Sequence, residues 1–82
     1  MSLQVKLYTK PGCHLCADAL AELQRLQRSR PFALEVVNIT AEPGLMQVYG
    51  ERIPVLDVDG REYDAPLYPH VLEQAIREAT TV

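Results

Sequence analysis

The chain has 82 residues, of which 48% are apolar and 23% are charged, and its formal net charge at pH 7 is −3. This length predicts one domain over residues 1–82, and the absence of a basic stripe argues against a nucleic-acid partner. The longest apolar runs fall well short of the roughly 18 residues that a membrane span needs, and residues 1–10 lack the pattern of a secretory signal. We therefore expect a small cytoplasmic domain that binds neither nucleic acid nor membrane.

The first half of the chain predicts a strand, a helix and a second strand. Residues 4–8 alternate between polar and apolar side chains, which is typical of a strand. Residues 14–28 carry an apolar stripe at helical spacing, and Pro31 ends the helix. The stripe consists of Cys16, Ala19, Leu20, Leu23 and Leu26. Residues 32–39 are apolar and partly β-branched, so they predict a strand that runs parallel to the first after a right-handed crossover.

A short helix is predicted next, over residues 41–49. Thr40 is suited to cap its N-terminus. Pro43 is tolerated because it falls in the first helical turn. Gly50 then ends the helix, as glycine commonly does at a C-terminus.

The remaining elements are a hairpin and a last helix. Residues 55–58 and 61–63 predict two short strands, and Asp59-Gly60 between them is a strong signal for a two-residue hairpin turn. A final helix is predicted from Pro69 to about Thr80. The order β-α-β-α-β-β-α predicts an α/β domain with a mixed four-stranded sheet flanked by helices.

Cys13 and Cys16 are the only cysteines of the sequence, and they lie where the first strand gives way to the first helix. Unpaired N–H groups and the helix dipole favour a negative charge at Cys13, and the thiolate is the reactive form of a cysteine. Cys16 follows one turn later and can attack a mixed disulfide on Cys13. A single close pair with no secretory signal favours transient redox chemistry over a structural disulfide.

Residues 8–16 resemble the entry of glutaredoxins into their active site, because Lys10 and Pro11 precede the Cys-x-x-Cys pair. Arg52-Ile53-Pro54 falls where that family has Thr-Val-Pro before a strand. Together with the element order, this resembles the thioredoxin fold and, most closely, the small bacterial glutaredoxin-like domains. The resemblance implies a thiol–disulfide oxidoreductase in which Cys13 is the nucleophile and Cys16 the resolving thiol.

Four residues are expected to bind the substrate, and the resemblance implies the roles of two of them, Ile53 and Pro54. Ile53-Pro54 is expected to be a cis peptide, and Ile53 is expected to offer its backbone N–H and C=O to a bound thiol substrate. Lys10 is expected to stabilise the thiolate or to receive a substrate carboxylate, and His14 to stabilise the thiolate as an imidazolium. Solvated surface residues would explain Lys10 and His14 equally well.

Three further residues have weaker signals. Leu15, between the cysteines, is expected to pack locally rather than to contact a partner protein. Arg52 and Tyr63 are candidates for the cleft beside Ile53-Pro54, although surface positions would explain them equally well.

Two departures from the glutaredoxin pattern weaken the expectation of glutathione binding. Glutaredoxins commonly have Pro-Tyr between the cysteines, whereas this chain has His14-Leu15. They also have Gly-Gly and then Ser/Thr-Asp after the last strand, which helps to hold glutathione; this chain has Asp64-Ala65. Asp64 puts a carboxylate near the place where a carboxylate of the tripeptide would dock.

No tightly bound cofactor is therefore expected. The expected substrates are disulfide-containing proteins or small thiols. The expected upstream reductant is either glutathione or an enzyme of the thioredoxin-reductase type. We expect a monomer.

Two alternatives to the oxidoreductase remain. A redox-silent binding module would keep the fold and grip an extended peptide beside Ile53-Pro54. A metal or iron–sulfur site would use Cys13 and Cys16, but structural zinc needs four ligands and only His14 lies nearby in the sequence. The metal alternative is the weaker one, and no metal ligand is assigned.

Overall fold

The computed structural model of the protein describes residues 3–80, so four residues of the predicted domain (1, 2, 81 and 82) lie outside this range. The elements are β1 (Gln4–Thr9), α1 (His14–Ser29), β2 (Ala33–Asn38), a 3-10 turn (Ile39–Ala41), α2 (Pro43–Tyr49), β3 (Val55–Val58), β4 (Arg61–Tyr63) and α3 (Pro69–Thr80). The predicted order is confirmed. The predicted bounds of β3, β4 and α3 agree with the structure at both ends.

The four strands form one mixed sheet in the order β2-β1-β3-β4. β1 and β2 are parallel, as the connecting helix predicted, with Val5 opposite Leu34. β3 is antiparallel to both β1 and β4. Asp59 and Gly60 have φ angles of 50° and 95°, so both adopt the left-handed conformation that a type I′ hairpin turn requires.

Helices cover both faces of the sheet. Val5 and Leu7 of β1 point to one face, where they join the main core between the sheet, α1 and α3. Tyr8 points to the other face and packs with Ile39 and Val55 beneath α2. Alternate residues of β1 therefore serve two separate cores. Between residues 3 and 80, each helix is too short or too polar to cross a bilayer.

The prediction of one helix over residues 41–49 is wrong at its start. Asn38, not Thr40, is the capping residue: its Oδ1 accepts hydrogen bonds from the Thr40 N–H (2.9 Å) and the Thr40 hydroxyl (2.6 Å). Asn38 thus caps the start of the 3-10 turn, whereas no side chain caps α2. Glu42 is extended, with φ −140° and ψ 132°, as expected of a residue before proline. α2 therefore begins at Pro43.

The other differences are one or two residues at element ends. The second strand begins at Ala33 because Phe32, although buried in the main core, comes before the ladder with β1. Ile39 is buried beneath α2 but already belongs to the 3-10 turn. Burial and hydrophobicity alone therefore made the predicted strand too long at both ends.

Candidate active site

Cys13 and Cys16 form a disulfide at the N-terminus of α1, with their Cα atoms 5.2 Å apart. Cys13 is the N-cap residue, and its Sγ accepts a hydrogen bond of 3.1 Å from the N–H of Cys16. Cys13 is half-buried, whereas Cys16 is only 3% exposed. An incoming group can therefore reach the Cys13 sulfur more easily than the Cys16 sulfur.

A tight turn over residues 10–13 brings Cys13 from the end of β1 to the start of α1. Gly12 has a φ angle of 79°, which glycine adopts without the steric cost that a Cβ would bring. The N–H of Cys13 donates to the carbonyl of Lys10 at 3.3 Å, and the Cys13 carbonyl accepts from the N–H of Ala17 at 3.1 Å. The local sequence thus fixes Cys13 at the helix terminus.

The residues around the cysteines are mostly exposed. Lys10 has no side-chain hydrogen bond or ion pair within residues 3–80. His14 Nε2 lies 3.6 Å from Asp18 Oδ2, and the two side chains are 87% and 66% exposed. Both Lys10 and His14 are therefore accessible, and their roles in substrate binding stay predictions.

The expectation that Leu15 packs locally is wrong, because its side chain is 61% exposed. The buried face of α1 begins at the next residue, Cys16, and continues through Ala19 and Leu23. One residue is about 100° around a helix, so Leu15 lies off this face. Its apolar side chain points toward the cleft described below.

The peptide bond between Ile53 and Pro54 is cis, as the resemblance implied, and the bond between Ala65 and Pro66 is cis as well. One expectation for Ile53 needs correction: its N–H donates to the carbonyl of Tyr49 at 3.1 Å. The N–H is used inside the fold because the chain turns directly from α2 into Ile53. The Ile53 carbonyl has no hydrogen bond within residues 3–80, so of the two backbone groups of Ile53 it is the one that a substrate can use.

A cleft with a volume of about 270 Å³ lies beside the cysteine pair, and we call it the Pro54 cleft. Proline and apolar side chains form most of its wall. Its lining residues are Leu15, Asp18, Pro54, Pro66, Leu67, Tyr68 and Pro69. Asp18 is the one charged residue among them. Arg52 and Tyr63, which were candidates for this cleft, do not line it, and Tyr63 packs against the main core instead.

Arg52 instead binds two carboxylates next to the cleft. Its guanidinium donates to both oxygens of Asp64, with Nε–Oδ2 at 2.9 Å and Nη2–Oδ1 at 2.7 Å. Nη2 also donates to Glu62 Oε1 at 2.8 Å. Glu62 Oε2 accepts from the Tyr49 hydroxyl at 2.7 Å, and the guanidinium lies 5.1 Å from the centre of the Tyr49 ring. We call Tyr49, Arg52, Glu62 and Asp64 the Arg52 cluster.

The electrostatics of the Arg52 cluster follow from these contacts. The guanidinium of Arg52 holds the pKa of Asp64 below its usual range. The pKa of Glu62 is also lowered, first by the Tyr49 hydroxyl and then by Arg52. Conversely, Asp64 and then Glu62 raise the pKa of Arg52. All three groups are therefore charged at neutral pH, and the cluster carries a net charge of −1, since one cation faces two carboxylates.

Sequence reasoning missed most of the cleft wall. Neither proline of this wall was assigned to a site, and Pro69 was predicted only to begin the last helix. Pro66 and Pro69 nevertheless lie three residues apart and stiffen the segment that carries Leu67 and Tyr68. Tyr68 is 56% exposed. The usable sequence signal was the run Pro-Leu-Tyr-Pro over residues 66–69, because two prolines so close together keep the apolar side chains between them out of a helix.

The structure describes no group of three or more histidine, cysteine or acidic side chains placed to hold a metal ion within residues 3–80. His70, the second histidine, lies on α3 and stacks on Tyr68, with ring centres 5.8 Å apart. Within that range, the two cysteines and His14 do not form such a group, and a structural zinc site would need four ligands.

The chain is similar to known proteins over nearly its whole length. The family model described as "Glutaredoxin-like domain (DUF836)" matches residues 4–80. The chain belongs to this family. A protein from Mycobacterium tuberculosis, itself described as uncharacterized, is 34% identical over 65 residues, which cover 73% of this chain and 67% of the relative.

Two solved structures show that this chain has the thioredoxin fold. A protein from X. campestris superposes with a TM-score of 0.76 at 33% identity, covering 90% of this chain and 96% of that one. The oxidized form of mitochondrial thioredoxin 3 from Saccharomyces cerevisiae superposes with a TM-score of 0.72 at 18% identity, covering 94% and 78%. The second likeness concerns the fold alone. A glutaredoxin-like domain with Cys13 and Cys16 at disulfide distance indicates a redox-type function.

Proposed function

We propose that this glutaredoxin-like protein is a thiol–disulfide oxidoreductase that cycles its Cys13–Cys16 pair between dithiol and disulfide. The observation that carries the proposal is the asymmetry of the pair. Cys13 caps a helix and is partly exposed, whereas Cys16 is buried one turn away and bonded to it. A purely structural disulfide does not require one exposed and one buried cysteine. In addition, a disulfide that closes so short a loop adds little stability.

The reaction starts from the dithiol. The Cys13 thiolate attacks one sulfur of a substrate disulfide; the substrate S–S bond breaks, and the first substrate thiolate leaves and takes up a proton. Cys16 then loses its proton and attacks Cys13 Sγ, which releases the second substrate thiol and forms the Cys13–Cys16 disulfide. The substrate disulfide is reduced by two electrons, and the protein dithiol is oxidised by two.

Two contacts support this division of roles. The N–H of Cys16, which donates to Cys13 Sγ in the disulfide, lies where it would stabilise a Cys13 thiolate after reduction. The Pro54 cleft begins at Leu15, between the cysteines. An extended substrate segment can therefore lie against Pro54 while its disulfide faces Cys13.

The proposal extends to the setting of the reaction. We infer a cytoplasmic protein whose disulfide is reduced either by glutathione or by an enzyme of the thioredoxin-reductase type. Lys10 and His14 are proposed to meet the substrate on the exposed side of Cys13, and Pro54 with the Ile53 carbonyl on the cleft side. Proteins and small molecules that contain disulfides are the proposed substrates.

The test is the reduction of hydroxyethyl disulfide, a small neutral disulfide, by the protein with dithiothreitol as the reductant. We expect turnover well above the uncatalysed reaction. Cys13→Ser should abolish it, because the nucleophile is lost. In a separate experiment, Cys16→Ser is reduced and freed of dithiothreitol before hydroxyethyl disulfide is added. This variant should then allow the first attack only and trap a mixed disulfide on Cys13, detectable by mass spectrometry.

Matched controls separate chemistry from folding. Ser29→Ala, at the far end of α1, should leave turnover unchanged. If Cys13→Ser retains turnover, or if Cys16→Ser traps the mixed disulfide elsewhere, the proposed roles are wrong. If the wild-type protein reduces no disulfide at all, the redox-silent binding module replaces the oxidoreductase.

A further inference from the structure

We propose that Asp64 is a specificity-determining residue, which keeps the site from binding substrates with carboxylates by occupying the guanidinium of Arg52. This inference rests on the proposed function. It names the class of disulfide that the site disfavours: small, multiply anionic disulfides such as glutathione disulfide. The favoured class is then a neutral or apolar segment that carries a disulfide.

The first observation is the position of the Arg52–Asp64 pair. Arg52 precedes Pro54 by two residues, and Asp64 precedes Pro66 by two, and both prolines line the Pro54 cleft. The N–H of Ala65 donates to the carbonyl of Arg52 at 3.2 Å, which joins the two segments. The pair therefore lies at the junction of two segments that form the cleft wall.

The second observation is that the guanidinium already uses four of its five N–H donors. Asp64 accepts from two of its nitrogens, which is the two-pronged geometry that a substrate carboxylate would itself use. Glu62 takes a further N–H, and the remaining Nη1 points to the carbonyl of Val48 at 3.5 Å. An incoming carboxylate would have to displace Asp64 to gain equivalent hydrogen bonds.

The third observation is the charge that remains. With two carboxylates around one cation, the Arg52 cluster repels an anion, and Asp18 adds a further negative charge on the cleft wall. Arg52 is nevertheless one third exposed, so a ligand could reach its guanidinium once Asp64 was removed. Arg52, which Asp64 occupies in this protein, can thus become a binding site for a carboxylate when Asp64 alone is substituted.

The experiment compares two disulfides that differ only in their carboxylates: glutathione disulfide and the disulfide of glutathione diethyl ester. Pre-reduced protein is mixed with each in a quenched-flow instrument. Because the chain has no tryptophan, the loss of its thiols is followed by acid quench and alkylation. The measured quantity is the second-order rate constant for glutathione disulfide divided by that for the diethyl ester disulfide. A variant that damages the site in general lowers both rate constants and leaves this ratio unchanged.

We expect this ratio to be below one in the wild-type protein and to rise roughly three- to tenfold in Asp64→Asn, the gain that a charge-assisted hydrogen bond in a partly exposed site provides. High salt should suppress the gain, since exposed charges are screened. Asp64→Ala, which leaves no acceptor for Arg52, should raise the ratio at least as much. The double variant Asp64→Asn/Arg52→Gln should lose the gain.

Glu62→Gln is the matched control. It changes the net charge by the same amount as Asp64→Asn and weakens a contact of the same guanidinium, but it leaves the two-pronged pair with Asp64 in place. The ratio should change by less than about twofold, the effect of one screened surface charge. Equal gains in the two variants would overturn the proposal, because overall charge would then explain selectivity.

Other outcomes separate this inference from the proposed function. If all variants reduce hydroxyethyl disulfide but neither Asp64 variant raises the ratio, the specificity role is refuted and the oxidoreductase stands. If no variant reacts with any of the three disulfides, the proposed function fails and the specificity role fails with it.

Discussion

The two faces of the sheet are built differently. Within residues 3–80, the face beneath α1 and α3 contains a core of 12 buried residues, whereas the face beneath α2 contains three: Tyr8, Ile39 and Val55. α2 itself has no buried residue. On the first face, apolar packing holds the helices; on the second, α2 is held largely by specific contacts.

Those specific contacts are aromatic and ionic. The ring of Tyr8 stacks on Tyr49 with centres 4.0 Å apart and an interplanar angle of 14°. The Tyr49 hydroxyl then reaches Glu62, and Arg52 bridges Glu62 and Asp64. The first face needs only apolar side chains of suitable size, whereas the second depends on the chemical identity of the side chains that meet there. The α1–α3 face sets stability, and the α2 face shapes the segment that leads to Pro54.

The largest effect should come from the α1–α3 face. Leu23 is 0% exposed in the middle of α1, and Leu23→Ala should lower the free energy of unfolding by about 3 kcal/mol, from lost burial and the remaining cavity. Urea denaturation followed by circular dichroism measures this. Leu15→Ala on the same helix is the control; it removes an exposed side chain and should change stability by less than about 0.5 kcal/mol.

A smaller effect is expected on the α2 face. Tyr49→Phe keeps the ring on Tyr8 but removes the hydroxyl that donates to Glu62. It should lower the free energy of unfolding by about 1 kcal/mol, the worth of one hydrogen bond. Tyr68→Phe, whose ring is 56% exposed, is the control. A loss for Tyr49→Phe as large as that for Leu23→Ala would contradict the distinction between the faces.

Local patterns in the sequence were sufficient for most of the fold. The alternation in β1 and the apolar stripe of α1 identify the α1–α3 face, because burial there depends only on periodicity. Asp59-Gly60 identified the hairpin through its turn chemistry. The family resemblance, not the spacing, identified the cis bond at Ile53-Pro54, which is otherwise uncommon.

The α2 face was harder to predict because it depends on contacts between residues far apart in the sequence. Nothing in the local pattern links Arg52 to Asp64 or Tyr49 to Glu62, which are 12 and 13 residues apart. The hydrogen bond from the Ile53 N–H to the Tyr49 carbonyl likewise depends on how α2 ends, which no local pattern reports. Periodicity reports which side chains are buried, but it does not report which polar groups meet.

If α2 is held by few buried contacts, its intrinsic helix propensity should matter. Gly44 lies in the first turn of α2, and a Cβ added there would meet no atom within 4 Å. Gly44→Ala should raise the free energy of unfolding by about 0.5 kcal/mol, because it removes backbone freedom from the unfolded chain. Thermal unfolding would show the higher midpoint.

Gly50→Ala provides the opposite case on the same helix. Its Cβ would lie 2.5 Å from the carbonyl oxygen of Met46, so the backbone would have to shift. This variant should lower the thermal midpoint. If both substitutions were stabilising, the end of α2 would adapt freely, and specific contacts would not be what holds this helix.

The smallest effect should be the contribution of the Arg52 cluster to stability at different pH values, because its side chains are about one third or more exposed and their charges are screened. The folded state lowers the pKa of Asp64 through Arg52. A lowered carboxyl pKa adds stability that is fully present above the unfolded value of about 3.9 and is lost as the pH falls through the folded value. Wild-type protein should therefore lose stability with acid more steeply than Asp64→Asn.

Urea midpoints measured from neutral pH down to about pH 3 test this sign, since the relevant carboxyl groups titrate in that range. The difference between wild type and Asp64→Asn should be largest near neutrality and shrink below about pH 5. Glu62→Gln should behave in the same way, because the Tyr49 hydroxyl and Arg52 lower the pKa of Glu62. A difference that grows toward low pH would mean that Asp64 is destabilised in the folded protein, and the ionic account of the α2 face would be wrong.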